Sequence, residues 1–240
     1  MINNKRKVFI VGGDLGVMRL FLHQGGFEGA ITLDEADIVV FTGGADVHPS
    51  MYGEEPDPTI RCYYDLGRDR REKAIYDLAK DKFKVGICRG GQFLNVMNGG
   101  KLWYDVDNHT TIHLAYEPNE DGSLNIPFPV TSTHHQMFIK GPTAHVFLVA
   151  YMASSKVNAN EQWDFNPARG RGTRVDRETN KWYPICDEDD LEGLYYAETG
   201  SMCFQPHPEY DIPTTRMRKF FFEKLDYFYQ QFYEQKAKVA

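Results

Sequence analysis

The apolar positions fall into short, β-branched runs that end in glycine and alternate with stretches of helical spacing. Lys7-Val-Phe-Ile-Val-Gly-Gly13 predicts a strand, and Gly16 to Gln24 a helix behind it. Asp37-Ile-Val-Val-Phe-Thr42 is apolar at nearly every position, as expected for a strand buried on both faces of a parallel sheet, and it runs into Gly43-Gly44. From Asp69 to Asp81 the spacing of Ala74, Ile75, Leu78 and Ala79 predicts a helix, followed by a strand over Phe83 to Ile87. Gly90 to Asn98 reads as a helix closed by Gly99-Gly100, and Lys101 to Val106 as a strand.

The periodicity weakens between Asp107 and Pro129, where loops and antiparallel pieces are expected, and returns with a strand over His145 to Met152. Residues 158–180 hold Arg169, Arg171, Arg174 and Arg177 among Gly and Pro breakers and read as an inserted loop or hairpin. Leu191 to Tyr196 and Ser201 to Gln205 predict a strand pair. Thr214 to Lys236 predicts an amphipathic helix with Met217, Phe220, Phe221, Leu225, Phe228, Tyr229 and Phe232 on its core face. The alternation of strand and helix implies an α/β domain with a central, mostly parallel sheet.

Composition narrows the function classes. With 240 residues, 42% apolar and 25% charged, one domain spanning 1–240 is expected. A net charge of −7 gives no general field for nucleic acid or anionic lipid, and no apolar run reaches the roughly 20 residues of a membrane span. The polar, basic start from Met1 to Lys7 does not read as an export signal. Cys62, Cys88, Cys186 and Cys203 lack paired spacing, which fits reduced thiols in a cytoplasmic protein.

The candidate chemistry centres on Val85-Gly-Ile-Cys-Arg-Gly-Gly-Gln92, a cysteine between an apolar strand and a helix with glycines on both sides. A sharp turn of this kind exposes the sulfur, the helix N-terminus favours a thiolate, and the N–H of Arg89 can face a developing oxyanion. The same string alone also fits a small buried residue at a strand end. Gln205-Pro-His-Pro-Glu209, directly after a predicted strand, supplies a general base in His207 and an orienting carboxylate in Glu209, which turns the balance toward catalysis.

Four motifs, in order, carry a family resemblance: Thr42-Gly-Gly-Ala-Asp-Val-His-Pro49 with Tyr52-Gly-Glu54, Gly86-Ile-Cys-Arg-Gly-Gly-Gln92, Ser132-Thr-His-His-Gln136, and Pro206-His-Pro-Glu209. The chain resembles the class I glutamine amidotransferase-like superfamily, closest to its γ-glutamyl-γ-aminobutyrate hydrolase-like branch, over residues 8 to about 212. The resemblance implies a flavodoxin-like three-layer sandwich. It also implies cleavage of a γ-glutamyl amide through a Cys88 thioester, with His207 and Glu209 completing the triad. By the same resemblance, a backbone N–H near Gly44 joins that of Arg89 in the oxyanion hole. Gln92 and the segment Ser132, His134, His135 and Gln136 then help hold the glutamyl α-amino and α-carboxylate groups. Thr131 stands where that branch usually has asparagine.

Other readings of the same residues are weaker. His109 and His113 are four apart, a zinc spacing on a helix, but Thr110-Thr-Ile112 favours a strand that would part them, and adjacent His134 and His135 should face opposite ways. No metal and no cofactor is therefore expected. Gly12-Gly-Asp-Leu-Gly16 lacks the spacing of a dinucleotide fingerprint. The Arg169–Arg177 cluster fits a solvated loop as well as an anion grip. Three functional readings stay open: an autonomous hydrolase of a small γ-glutamyl substrate, a glutaminase subunit that delivers ammonia to a separate synthase or ligase, and a non-catalytic binding module.

Overall fold

Strands buried on both faces need helices on both sides, and the chain meets this requirement with one mixed sheet. In the computed structural model of the protein, the described residues are 6–56, 58, 62–106, 109–119, 125–150, 156–157, 173–175, 182–184, 189–210 and 215–239. Among them the main sheet has nine strands: β1 Lys7–Val11, β2 Glu28–Gly29, β3 Ile38–Phe41, β4 Phe83–Ile87, β5 His113–Tyr116, β6 Phe128–Val130, β7 His145–Ala150, β8 Leu191–Tyr196 and β9 Ser201–Phe204. Their order is β2-β1-β3-β4-β9-β8-β7-β5-β6. The first five in that order run parallel, and the rest extend the sheet antiparallel from β9.

The alternation of side chains across the parallel strands separates two cores. Ile38, Val40, Val85, Ile87, Met202 and Phe204 face one side, against α4 (Thr215–Val239), whose Met217, Phe221, Leu225 and Phe228 are buried there. Val39, Phe41 and Cys203 face the other, against Phe93, Leu94 and Val96 of α3 (Arg89–Met97). This is the α/β domain that the apolar pattern implies, in the three layers that the resemblance implies.

Several elements depart from the sequence pattern. The predicted helix over Gly16 to Gln24 is a short α1 (Leu15–Met18), capped by Asp14, that widens into a π-type turn over Arg19–Gln24. The stretch 101–106 forms two short strands, Lys101–Trp103 and Asp105–Val106. Helix α2 (Leu66–Leu78) starts three residues earlier than its apolar spacing suggests because Asp65 accepts the Arg68 N–H at 2.9 Å. Its buried side chains are Asp69 and Glu72, while Leu78 is 74% exposed. Ile75 and Ala79 pack on the core, but Ala74 and Leu78 of the same apolar stripe are exposed, so carboxylates share the docking of this helix with it. Thr173–Val175 pairs antiparallel with Trp182–Pro184, and the rest of the expected insert at 158–180, including Arg169, Arg171 and Arg177, lies outside the described residues.

Candidate active site

The parallel register brings the carboxyl ends of β3, β4 and β9 side by side, and each end leads into one candidate motif: Thr42-Gly43-Gly44, Cys88 and Gln205-Pro-His207. Crevices at strand carboxyl ends are where open α/β sheets bind ligands.

Cys88 sits at the turn between β4 and α3 with φ 52° and ψ −116°, the positive-φ non-glycine residue among those described. Such a conformation is costly for a side-chain-bearing residue and persists where the surroundings dictate it. The flanking glycines show how. A Cβ on Gly86 would lie 2.3 Å from the Gly90 carbonyl oxygen, and one on Gly90 would lie 2.1 Å from that of Phe41. Strand and helix thus approach backbone to backbone, which fixes the turn. Arg89 opens α3, so its N–H has no acceptor within the helix and remains available at the turn.

The Arg89 side chain runs the other way, into the protein. It is 1% exposed and pairs with Asp69 and Glu72 of α2. Glu72 also accepts Arg68 Nε at 2.7 Å, and Arg68 donates to the Thr42 carbonyl at 3.0 Å. The two carboxylates of α2 therefore tie the cysteine turn to the Gly43-Gly44 loop, which explains the polar buried face of that helix. A Cβ on Gly43 would lie 3.4 Å from His207 Cε1 and 3.7 Å from Cys88 Cβ, so this loop covers the thiol. Gly44 has φ 128°, a region open to glycine.

His207 Nδ1 donates to Glu209 Oε1 at 2.6 Å, and its Nε2 bonds Thr133 Oγ1 at 2.8 Å, with Cys88 a close neighbour of the ring. Burial disfavours charge on His207, but the neighbouring Cys88 and Glu209 outweigh it and raise the imidazole to about 11. The ring stacks on Tyr210 at 4.3 Å. Thr131 Oγ1 accepts the His207 N–H at 2.9 Å and donates to its carbonyl at 3.1 Å, pinning the loop, and Gln205 Nε2 contacts Cys88 Sγ at 3.8 Å. A cleft of about 630 Å³ opens on His207 and Glu209, lined also by Asp14, Arg19, Gly43 and Gly44. Thr131, Thr133 and Gln205 stand in or beside the quoted motifs without an assigned role, and Asp14 and Arg19 carry no signal in the sequence until the fold places them.

The expected substrate residues do not all meet at the cleft. Gln92 donates to the Gln136 carbonyl at 2.9 Å and to Gln205 Oε1 at 3.3 Å. Ser132 donates to the His109 carbonyl and is buried. Gln136 places Nε2 3.8 Å from Cys62 Sγ. His135 contacts both Asp46 oxygens at 3.1 Å, and the bonds from Asp105 and Asp46 raise it to about 10 against the effect of burial. His134 turns away from the cleft into a buried group with His109, His113, Asp190 and Glu192, and burial lowers it to about 3.

The parting of His109 from His113 is corrected by the structure. A bend at 110–111 replaces the expected strand, and the two rings meet at 4.7 Å. His134 and His135 do face opposite ways, toward Glu192 and Asp46 respectively.

The Peptidase C26 family profile matches residues 19–162, more than half of the chain. The chain belongs to the Peptidase C26 family. Among relatives, this family member is 37% identical over 119 residues to the glutamine amidotransferase-like protein YvdE of Lactococcus lactis subsp. lactis, a match covering 42% of this chain and 50% of the relative. It is 33% identical over 87 residues to NtpR of Enterococcus hirae, covering 35% of this chain and 36% of the relative. The chain thus spans half or less of the length of these curated relatives. Among solved structures, a GMP synthase subunit from Thermoplasma acidophilum superposes with a TM-score of 0.59 at 15% identity, covering 98% of both chains. A glutamine amidotransferase from Thermotoga maritima gives 0.54 at 16%, covering 98% of this chain and 94% of that one. The shared fold is that of class I glutamine amidotransferases, flavodoxin-like α/β. Among the described residues, no helix is long and apolar enough to cross a membrane.

Proposed function

We propose that this protein is a thiol hydrolase that cleaves a γ-glutamyl amide bond through a thioester on Cys88. The observation that carries the reading is His207 held by Glu209 at 2.6 Å through Nδ1, with the strained cysteine as a close neighbour of the ring. In this scheme His207 takes the Cys88 proton and the sulfur attacks the δ-carbonyl carbon. The oxyanion lies between N–H groups near Gly44 and Arg89, and His207 returns the proton to the departing amine. Water, deprotonated by the same imidazole, then attacks the thioester; glutamate leaves and the thiol is restored. Every proton is accounted for by His207, and the steps use these side chains and water.

The cleft supports a zwitterionic substrate end. Arg19 and Asp14 line it beside His207 and Glu209, and a glutamyl α-carboxylate and α-ammonium bring one charge for each. With Gln92, Ser132 and His134 engaged inside the protein, their contribution to binding runs through the backbone segment they hold.

Purified protein incubated with a panel of γ-glutamyl amines and glutamine, read by mass spectrometry, is expected to release glutamate. Cys88→Ala and Cys88→Ser are expected to abolish release, and a glutamine-analogue electrophile is expected to label Cys88 alone. Undiminished hydrolysis by the alanine variant would overturn the scheme. The second reading, an ammonia-donating partner of a synthase, draws on the structural neighbour named as a GMP synthase subunit. Glutaminase activity that appears only with an added synthase would favour it over the autonomous hydrolase.

A further inference from the structure

We propose that His109, His134 and Glu192, with His113 as fourth donor, form a structural site for a divalent transition metal, zinc by preference. The site is separate from the catalytic chemistry, and the inference does not depend on the proposed reaction.

The donor geometry is the first support. One ring nitrogen each of His109 and His134 and a Glu192 carboxylate oxygen all lie within 4.8 Å of one another, and all three residues are buried. Glu192 Oε1 stands 3.2 Å from His109 Nδ1, 3.1 Å from His113 Nε2 and 3.9 Å from His134 Nε2. A tetrahedral zinc ion with bonds of about 2.0–2.1 Å places its ligands roughly 3.3 Å apart, so these separations need only small adjustment. Two imidazoles and a carboxylate, with a third imidazole beside them, also suit zinc better than the harder, oxygen-seeking cations.

The second support is the orientation of the rings. His109 Nε2 is bonded to Asp190 Oδ2 at 2.9 Å, and His134 Nδ1 donates to the Gln136 carbonyl at 2.8 Å. With one nitrogen of each ring so engaged as a donor, the lone pair of the other points into the cluster. Carboxylate and carbonyl partners of this kind orient the histidine ligands of metal sites. Hydrogen bonding alone leaves the cluster incomplete: His134 Nε2 and Glu192 Oε2 are buried with no hydrogen-bond partner. Lone pairs facing a carboxylate repel unless a proton or a cation lies between them. One proton can serve the 3.2 Å pair, whereas a cation at the centre serves every donor. Asp190 and Glu192 are both fully buried, and a doubly charged ion balances two carboxylates.

The position gives the site a purpose. It joins the 109 bend, β5, the 131–136 segment and β8, elements remote in sequence. Glu192 accepts the Gln205 N–H through its carbonyl at 2.8 Å, and Thr131 and Thr133, on the segment that carries His134, bond His207. A metal here would lock the wall against which His207 rests.

Because the site is buried, loading is tested through folding. Protein unfolded in denaturant with a chelator and refolded with Zn²⁺ or Co²⁺ is expected to retain one metal per chain after desalting, measured by elemental mass spectrometry. The Co²⁺ form should show the visible d–d bands of a tetrahedral nitrogen and oxygen site without a thiolate charge-transfer band. Zn²⁺ should raise Tm. Glu192→Gln and His134→Ala should lower retained metal at least tenfold, and Cys62→Ser should leave it unchanged. That control addresses the second group of suitable residues, Asp46, Cys62 and His135. If the wild-type protein retains only background metal and Co²⁺ refolding gives no d–d bands, the proposal is wrong. Loss of binding in Cys62→Ser, or a thiolate band, also overturns it by placing the metal at the other group. The wild-type measurements decide the matter even where a cluster variant fails to fold.

Discussion

Gly90→Ala is the most informative single substitution because the atom it adds meets backbone. The new Cβ would lie 2.1 Å from the Phe41 carbonyl oxygen, 2.5 Å from its carbon and 3.1 Å from its Cβ. Phe41 belongs to β3, fully buried and paired on both sides by β1 and β4, so it cannot yield by a rotamer change. Relief requires α3 to retreat from β3 by roughly 1 Å, given ordinary carbon contacts of about 3.5 Å. That movement pulls against β4, where Gly86 already touches the Gly90 backbone, and against Arg89, held by Asp69 and Glu72.

Overpacking a dense site costs about 1–3 kcal/mol, and a backbone clash belongs at the upper end. For a domain of this size, about 3 kcal/mol lowers Tm by roughly 6–12 °C. The same retreat moves the Cys88 sulfur relative to His207 Nε2, and a misplacement of about 1 Å can cost on the order of 100-fold in rate. Thermal melts, the alkylation rate of Cys88 and kcat/KM on the best γ-glutamyl substrate measure the three consequences. Gly29→Ala serves as control, since Gly29 is exposed and its nearest neighbour is a leucine side-chain carbon at 3.8 Å. A Gly90→Ala protein within about 0.5 kcal/mol of wild type, with unchanged alkylation, would refute the reasoning about how the turn is fixed.

Two further outcomes are expected. Glu72→Ala leaves the buried Arg89 guanidinium with Asp69 alone and removes the Glu72 carboxylate from Arg68; a loss of about 3 kcal/mol is expected as a lower urea midpoint at unchanged m, and a loss below about 1 kcal/mol would contradict the buried network. His207 is raised from its ordinary 6.5 to about 11, with burial opposing and Cys88 and Glu209 prevailing, so the stability it contributes is complete below about 6.5 and drains as pH climbs toward 11. Cys88→Ala should lower the imidazole pKa seen by NMR titration and flatten that alkaline loss; an unchanged titration would mean that the sulfur does not act on the ring.

Legibility in the sequence follows the locality of the cause. The strands β1, β3, β4 and β9 are readable because burial on both faces leaves a continuous apolar run, and α4 because its core face repeats at helical spacing. The buried face of helix α2 is only partly readable: Ile75 and Ala79 pack on the core as expected, but its buried carboxylates, Asp69 and Glu72, are there for Arg89, a cation from another element. Cys88 and His207-Pro-Glu209 can be singled out because turn chemistry and an orienting carboxylate lie within a few residues. The histidine cluster cannot: its carboxylates, Asp190 and Glu192, stand 81 and 79 positions from His109 and His113 respectively, and a bend rather than a strand brings those two rings together.

The segment 131–136, between two strands, joins these layers through the alternation of its side chains. Thr131 and Thr133 face His207, while Ser132 and His134 turn to the His109 side, an alternation of two that places His207 and the buried histidines on opposite faces of one short stretch. The choice of threonine at 133 then has a chemical sense. A hydroxyl can donate to the neutral His207 Nε2 and accept from Nε2–H of the imidazolium, so Thr133 at 2.8 Å stays bonded in both protonation states. A group limited to donating or accepting would favour one state and oppose proton transfer with Cys88 in the other direction. The wall of the site therefore fixes the position of the ring without fixing its charge, which is what the proposed proton shuttling by His207 would require.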